Sequence, residues 1–129
     1  VPGMRERRRG SIVSIASSAA TQPIPTLVDY GAAKAGVLGF TRGLALELAA
    51  FGVNVNAVSP GPTMTPIHGK YGLPAEVLAE MGQATMSRLA LGRMATPEEI
   101  AEVAVFLASR RSAFVVGQEY VVDGGISAL

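Results

Sequence analysis

Cysteine is absent from the 129 residues and histidine occurs once, as His68. The first absence rules out disulfides, and the two together rule out a zinc site of cysteine and histidine ligands. His68 stands in a Gly/Pro-rich stretch and reads as a loop residue ahead of a catalytic base. Net charge is also scarce: eleven Lys and Arg against ten Asp and Glu leave +1. Such a balance gives no global attraction to nucleic acid or to an anionic membrane, and neither partner is expected. The one local excess, Arg5-Glu6-Arg7-Arg8-Arg9, reads as a solvated helix end or turn in preference to a nucleic-acid or localisation patch. No apolar run is long enough to span a bilayer without a charged residue interrupting it. The opening residues show no basic segment followed by an apolar stretch and a cleavage site. A soluble, cytoplasmic protein is therefore the expectation.

About half of the residues are apolar, enough for the core of a single domain. Ser11 to Ala16 is short, rich in β-branched residues and preceded by Gly10, which predicts a buried strand. After a turn-rich stretch holding Pro23 and Pro25, a long helix is expected from Val28 to Ala50, with Gly52 as a left-handed cap. Val53 to Val58 predicts a second strand, closed by Ser59-Pro60-Gly61-Pro62. Thr63 to Leu91, broken by Pro66, Gly69, Gly72 and Pro74, reads as loop and short helix. Thr96-Pro97-Glu98-Glu99 is a helix start with a capping box, and Ile100, Val103, Ala104 and Leu107 follow at helical spacing. Arg110 and Arg111 are expected at that helix's end, where positive charge suits the dipole. A last strand, Glu119 to Val122, runs into Asp123-Gly124-Gly125.

Strand, helix, strand, helix, strand is the order of an α/β protein with a parallel sheet. Ligands in such sheets bind beyond the carboxyl ends of the strands. Ser17 follows the first predicted strand and Pro60-Gly61 the second, so both open onto one edge. Tyr30 and Lys34, four apart on the long helix, project from one face. A cation near a phenol favours the phenolate, and a hydroxyl such as Ser17 could hold a substrate carbonyl beside it. These residues read as a carbonyl/alcohol redox site. The same helix carries Gly36, Gly39 and Gly43 along one side, each costing about 1 kcal/mol relative to alanine. Close approach by another helix or subunit is the expected compensation, pointing to a homo-oligomer.

With these residues in hand, the chain from Gly10 to Gly125 resembles a short-chain dehydrogenase/reductase. Gly10 to Ser17 is similar to the family's fifth strand and catalytic serine. Tyr30 and Lys34 match its Tyr-x-x-x-Lys signature. Val55-Asn56-Ala57-Val58-Ser59-Pro60-Gly61 and Thr65 resemble the sixth strand and the nicotinamide loop, and Arg93 to Leu107 with Val121 to Gly125 the last helix and strand. The Ile-x-Ser frame and the thirteen-residue separation favour Ser17 as the serine, with Ser18 the alternative. The resemblance implies a Rossmann-like doubly wound sheet and an NAD- or NADP-dependent oxidoreductase interconverting a ketone and a secondary alcohol, a 3-oxoacyl-thioester reductase being one such enzyme. It implies Ser17, Tyr30 and Lys34 as catalytic residues. Tyr30, Lys34, Pro60, Gly61, Thr63 and Thr65 would contact the cofactor, and Thr63 to Leu91 would cover the substrate. No Gly-x-x-x-Gly-x-Gly phosphate loop occurs, so residues 1–129 match the C-terminal, catalytic portion of the domain. Ile12 to Ile15 would then be an unpaired edge prone to association. The alternative expectation is a truncated, catalytically incompetent chain acting only in oligomerisation.

Overall fold

The computed structural model describes residues 1–25, 27–67, 72 and 74–128, which leaves His68 outside the described residues. Three strands, β1 (Gly10–Ile15), β2 (Val53–Pro60) and β3 (Glu119–Val122), form a parallel sheet in the order β1-β2-β3. The helices are α1 (Pro2–Glu6), α2 (Val28–Ala49), α3 (Ala75–Met86) and α4 (Pro97–Ala108). The strand and helix order is the one the sequence predicts. Short α1 was not expected, because its five residues carry no side-chain cap.

Side chains alternate across the sheet and split the core into two layers. On one face Val53, Val55 and Ala57 of β2 meet Leu38, Ala45 and Leu48 of α2. On the other, Val58 packs with Ile100 and Leu107 of α4. β2 is central, so its apolar residues are wholly buried. Asn54 and Asn56 interrupt the apolar pattern for a reason the sequence does not display. The Asn56 amide donates to Val115 O at 2.9 Å and accepts from Gln118 N at 2.9 Å, while Asn54 donates to Ser112 O at 3.1 Å. Together they pin the connection from α4 to β3 across the sheet, and burial leaves no polar atom of Asn56 unpaired.

Strand β2 runs two residues past its expected end and includes Pro60. The missing N–H costs nothing there, because Pro60 faces the side where β1 has already stopped. α2 ends at Ala49, and Gly52 takes φ +69° as expected of a left-handed cap. A Cβ on Gly52 would sit 2.5 Å from Arg8 O, so close backbone approach requires glycine as well. The Arg8 guanidinium donates to Ala50 O at 2.7 Å, and Arg5 stacks 4.0 Å from the Phe51 ring centroid. The basic cluster thus lies at the end of α1 and packs on the C-terminus of α2.

The capping box of α4 is present: Glu99 N donates to Thr96 Oγ1 and Thr96 N to Glu99 Oε2. Arg93 adds a bidentate pair to the Glu99 carboxylate at 2.6 and 2.8 Å. The hydrogen bonds from Arg93 and then from Thr96 hold the Glu99 carboxyl at about 2, below the ordinary carboxylate value. Arg110 and Arg111 do not end this helix. It stops at Ala108, and Ser109 starts a separate 3-10 turn by accepting from Arg111 N at 3.2 Å. Among the described residues, no helix is long and apolar enough to cross a membrane.

Candidate active site

The carboxyl ends of β1 and β2 open onto one rim. Ile15 pairs with Val58, and continuing that register brings Ser17 level with Pro60. Ser17 is extended (φ −167°, ψ 152°), and its hydroxyl accepts from Ala19 N at 3.2 Å, capping a 3-10 turn over Ser18–Ala20. That turn packs on the start of α2: a Cβ on Gly31 would lie 3.1 Å from Ala19 O. The glycine after Tyr30 therefore lets the serine turn sit against the tyrosine's own helical turn. Ser18 is buried, whereas Ser17 remains partly exposed on the rim.

Tyr30 is exposed and Lys34 half-buried, one helical turn deeper. The Lys34 ammonium lies 5.8 Å from the Tyr30 ring centroid and donates to Ile15 O at 3.0 Å. One cation therefore ties the tyrosine's face of α2 to the strand that delivers Ser17. The backbone partner was invisible in the sequence, since every residue has a carbonyl.

Beyond β2 the chain is held tightly. Gly61 N donates to Val122 O at 2.9 Å, and a Cβ on Gly61 would fall 2.5 Å from Asp123 Cβ. Thr63 donates its hydroxyl to Gly61 O at 3.0 Å and forms a parallel bridge with Ala95. Thr65, two residues on, is half-buried. The Asp123 carboxylate accepts from Gly125 N at 3.0 Å and Ser127 N at 3.1 Å, locking the turn on which Gly61 rests. This bracing role of Asp123-Gly124-Gly125 was missed in the sequence, where only a strand end was legible.

The segment from Thr63 to Leu91 contains a full twelve-residue helix, α3, with no buried residue. Met64, Ile67, Val77, Met81, Met86 and Leu91 are exposed apolar side chains of this region. The glycine side of α2 also differs from expectation. Nothing lies within 4 Å of a Cβ placed on Gly36, Gly39 or Gly43, so within the chain no close approach compensates their cost. Phe40 and Leu46 beside them are exposed.

A half of a doubly wound sheet, with serine, tyrosine, lysine and a Pro-Gly loop at one rim, belongs to a recognisable class. The chain is a member of the short-chain dehydrogenase/reductase family, and residues 1–127 match the family model described as enoyl-(acyl carrier protein) reductase. It is 43% identical over 127 residues to the 3-oxoacyl-[acyl-carrier-protein] reductase of Thermotoga maritima, an alignment covering 98% of this chain and 49% of that protein. To the inactive 2-(S)-hydroxypropyl-CoM dehydrogenase 2 of Xanthobacter autotrophicus it is 41% identical, covering 98% and 55%. The crystal structure of a gluconate 5-dehydrogenase from Burkholderia cenocepacia, in complex with NADP and tartrate, superposes with a TM-score of 0.90 at 30% identity, covering 99% of this chain and 49% of that one. The chain spans about half the length of the curated relatives it matches.

Proposed function

We propose that residues 1–129 form the C-terminal catalytic portion of an NAD(P)-dependent oxidoreductase that interconverts a ketone and a secondary alcohol. The observation that carries this reading is the Lys34 ammonium beside the Tyr30 ring, bonded to the last residue of the strand that Ser17 follows. In the reducing direction Tyr30 donates its phenolic proton to the substrate oxygen. The Lys34 ammonium stands on the same face of α2, 5.8 Å from the Tyr30 ring centroid. Ser17 orients the substrate oxygen by hydrogen bonding and stabilises charge developing on it.

The donor set suits a nicotinamide dinucleotide. An ammonium and a phenol can bond ribose hydroxyls, and a braced loop after the second strand presents hydroxyl and backbone groups. Tyr30, Lys34, Pro60, Gly61, Thr63 and Thr65 would hold it, and when bound it supplies or accepts the hydride. NAD and NADP are both compatible with these residues. α3 and its flanks close over the substrate. Their exposed methionines and aliphatic side chains suit an apolar chain, which favours a 3-oxoacyl-thioester over a polyol.

Tyr30→Phe tests the reading in a protein completed by a dinucleotide-binding half. Turnover should fall by about 100- to 10,000-fold with folding retained. Unchanged turnover would refute the catalytic assignment.

A second reading is favoured by one observation, the uncovered face of α2. Small residues at Gly36, Gly39 and Gly43 beside exposed Phe40 and Leu46 form a surface on which another helix can pack closely. It supports a homo-oligomer, either of the enzyme or of a chain that only assembles. The proposed location is cytoplasmic.

A further inference from the structure

Residues 123–127 tie together parts of the rim that are distant in sequence. Asp123 follows β3 directly, and its carboxylate accepts from Gly125 N at 3.0 Å and from Ser127 N at 3.1 Å. Gly124 and Gly125 take φ +64° and +84°, the left-handed region that lets so short a turn close on the carboxylate. From there the segment reaches across the sheet. In the order β1-β2-β3 it starts at the end of β3, lies against Gly61 just beyond β2, and ends on the turn that follows β1, where the Gln22 amide donates to Ser127 O at 3.0 Å. The end of the segment that carries α3 rests on it too. Leu91 N donates to Gly124 O at 3.2 Å, and a Cβ on Gly125 would fall 2.8 Å from Ala90 Cβ.

Gln22 is the far end of the serine's turn. Ala19 N donates to Ser17 Oγ at 3.2 Å, Ala20 N to Ser17 O at 2.9 Å and Gln22 N to Ser18 O at 2.9 Å. The near end of this turn is fixed by the sheet, through Ala16 N and Val58 O at 2.8 Å. The far end belongs to no strand, and Gln22 ties it to Ser127. Gln22 and Asp123 therefore share one residue: Gln22 holds the Ser127 carbonyl and Asp123 holds the Ser127 N–H. An N–H bonded to a carboxylate is held more strongly than one bonded to a neutral acceptor, so Asp123 is the firm end of this relay.

We propose that Gln22 and Asp123 are positioning residues for Ser17, acting through the backbone of Ser127. Asp123 fixes Ser127, Ser127 fixes Gln22, and Gln22 holds the turn on which Ser17 sits against the first turn of α2. Because Asp123 also backs Gly61, the same strap sets the serine and the loop after β2 relative to each other. This deepens the proposed function and rests on it for what Ser17 does in turnover; the coupling through Ser127 stands without it.

The first measurement is amide hydrogen exchange in the 129-residue chain. It is read at Ala19, whose N–H bonds Ser17 Oγ, at Gly61, whose N–H bonds Val122 O, and at Gly117, whose N–H bonds Val55 O near the amino end of β2. Gln22→Met keeps the length and loses the donor, while Asp123→Asn keeps the shape and leaves one of the two N–H groups without an acceptor. Gln22→Met should speed exchange at Ala19 by about 10-fold, with Gly61 and Gly117 unchanged. Asp123→Asn should speed Ala19 and Gly61 by about 10- to 100-fold, again with Gly117 unchanged. At Ala19 the double variant should match Asp123→Asn alone, since both residues lie on one route. The second measurement is turnover in a protein completed by a dinucleotide-binding half. There Gln22→Met should lower kcat by about 10-fold with the KM for NADH or NADPH unmoved. Four results overturn the proposal: Ala19 unmoved in either variant; Gly117 accelerated as much as Ala19, which makes the effect a general loss of stability; additive effects at Ala19 in the double variant; or kcat unchanged while Ala19 exchanges faster. Turnover indifferent to Tyr30→Phe would instead sink the proposed function, and the exchange pattern would still decide whether the strap holds the serine's turn.

Discussion

Replacing Gly61 by alanine is the sharpest test of how the loop after β2 is held. The new methyl carbon would lie 2.5 Å from Asp123 Cβ, 2.6 Å from Asp123 Cα and 3.1 Å from Asp123 O. Carbon–carbon contact is comfortable only from about 3.5 Å, so one backbone must retreat by about 1 Å. Neither is free to do so cheaply. Gly61 N is bonded to Val122 O at 2.9 Å, and the Asp123 carboxylate holds Gly125 N and Ser127 N. Overpacking costs about 1–3 kcal/mol and the strained backbone bond about 1 more, a loss of about 2–4 kcal/mol. Urea denaturation followed by circular dichroism reads it directly. With an m of about 2 kcal/mol/M the midpoint drops by about 1–2 M, the slope staying fixed. Gly36→Ala is the control, because its methyl group meets nothing within 4 Å in a helix. At low micromolar concentration it should gain up to about 1 kcal/mol. Equal midpoints for the two variants would refute the claim that the loop is braced by backbone contact. In a completed enzyme the same 1 Å shift should lower turnover by about 100-fold.

Leu46→Glu, at a side chain 80% exposed on the small-residue face of α2, should abolish self-association in sedimentation velocity without changing the far-UV spectrum. For Glu99 the folded carboxyl titrates at about 2, below its ordinary value of 4.5, so the folded state binds the proton more weakly than the unfolded one. Its stabilisation is present above about pH 4.5 and is lost as pH falls towards 2; thermal melts of Glu99→Gln should show less acid dependence than the wild type in that window. Titration of the chain alone with NADH and NADPH should show weak binding of both, since no glycine-rich phosphate loop is present; tight binding with a strong adenosine contribution would contradict the division of labour proposed for the two halves.

Where local chemistry decides a local feature, the sequence was read correctly. Thr96 to Glu99 forms its capping box because both partners lie within one turn, and Gly52 takes the left-handed conformation its position implies. The β-branched runs became β1 and β2, and the helix bearing Tyr30 and Lys34 starts at Val28 as expected. Features set by distant backbone were not legible. The partners of Asn54 and Asn56, at Ser112, Val115 and Gln118, lie more than fifty residues away along the chain. Pro60 read as a strand terminator because the early end of β1 is a property of the pairing. Pro66, Gly69, Gly72 and Pro74 made Thr63 to Leu91 read as loop and short helix, although Ala75–Met86 supports twelve helical residues. Of the site, the side chains were legible and their backbone partners at Ile15, Ala19 and Val122 were not.

The division within the site follows the same line. The residues proposed for proton transfer and cofactor contact come from a single βαβ unit: Ser17 just after β1, Tyr30 and Lys34 from the first turns of α2, Pro60 and Gly61 from the end of β2. Their register is set by the β1–β2 ladder and by the Gly31 contact with Ala19 O, neither of which involves the open edge. Dinucleotide phosphates are bound differently, by glycine-rich backbone at a helix N-terminus, and this chain offers no such loop. Chemistry and cofactor affinity are therefore separable in this fold. The positions of the rim groups rest on contacts within the chain, the Lys34 bond to Ile15 O among them.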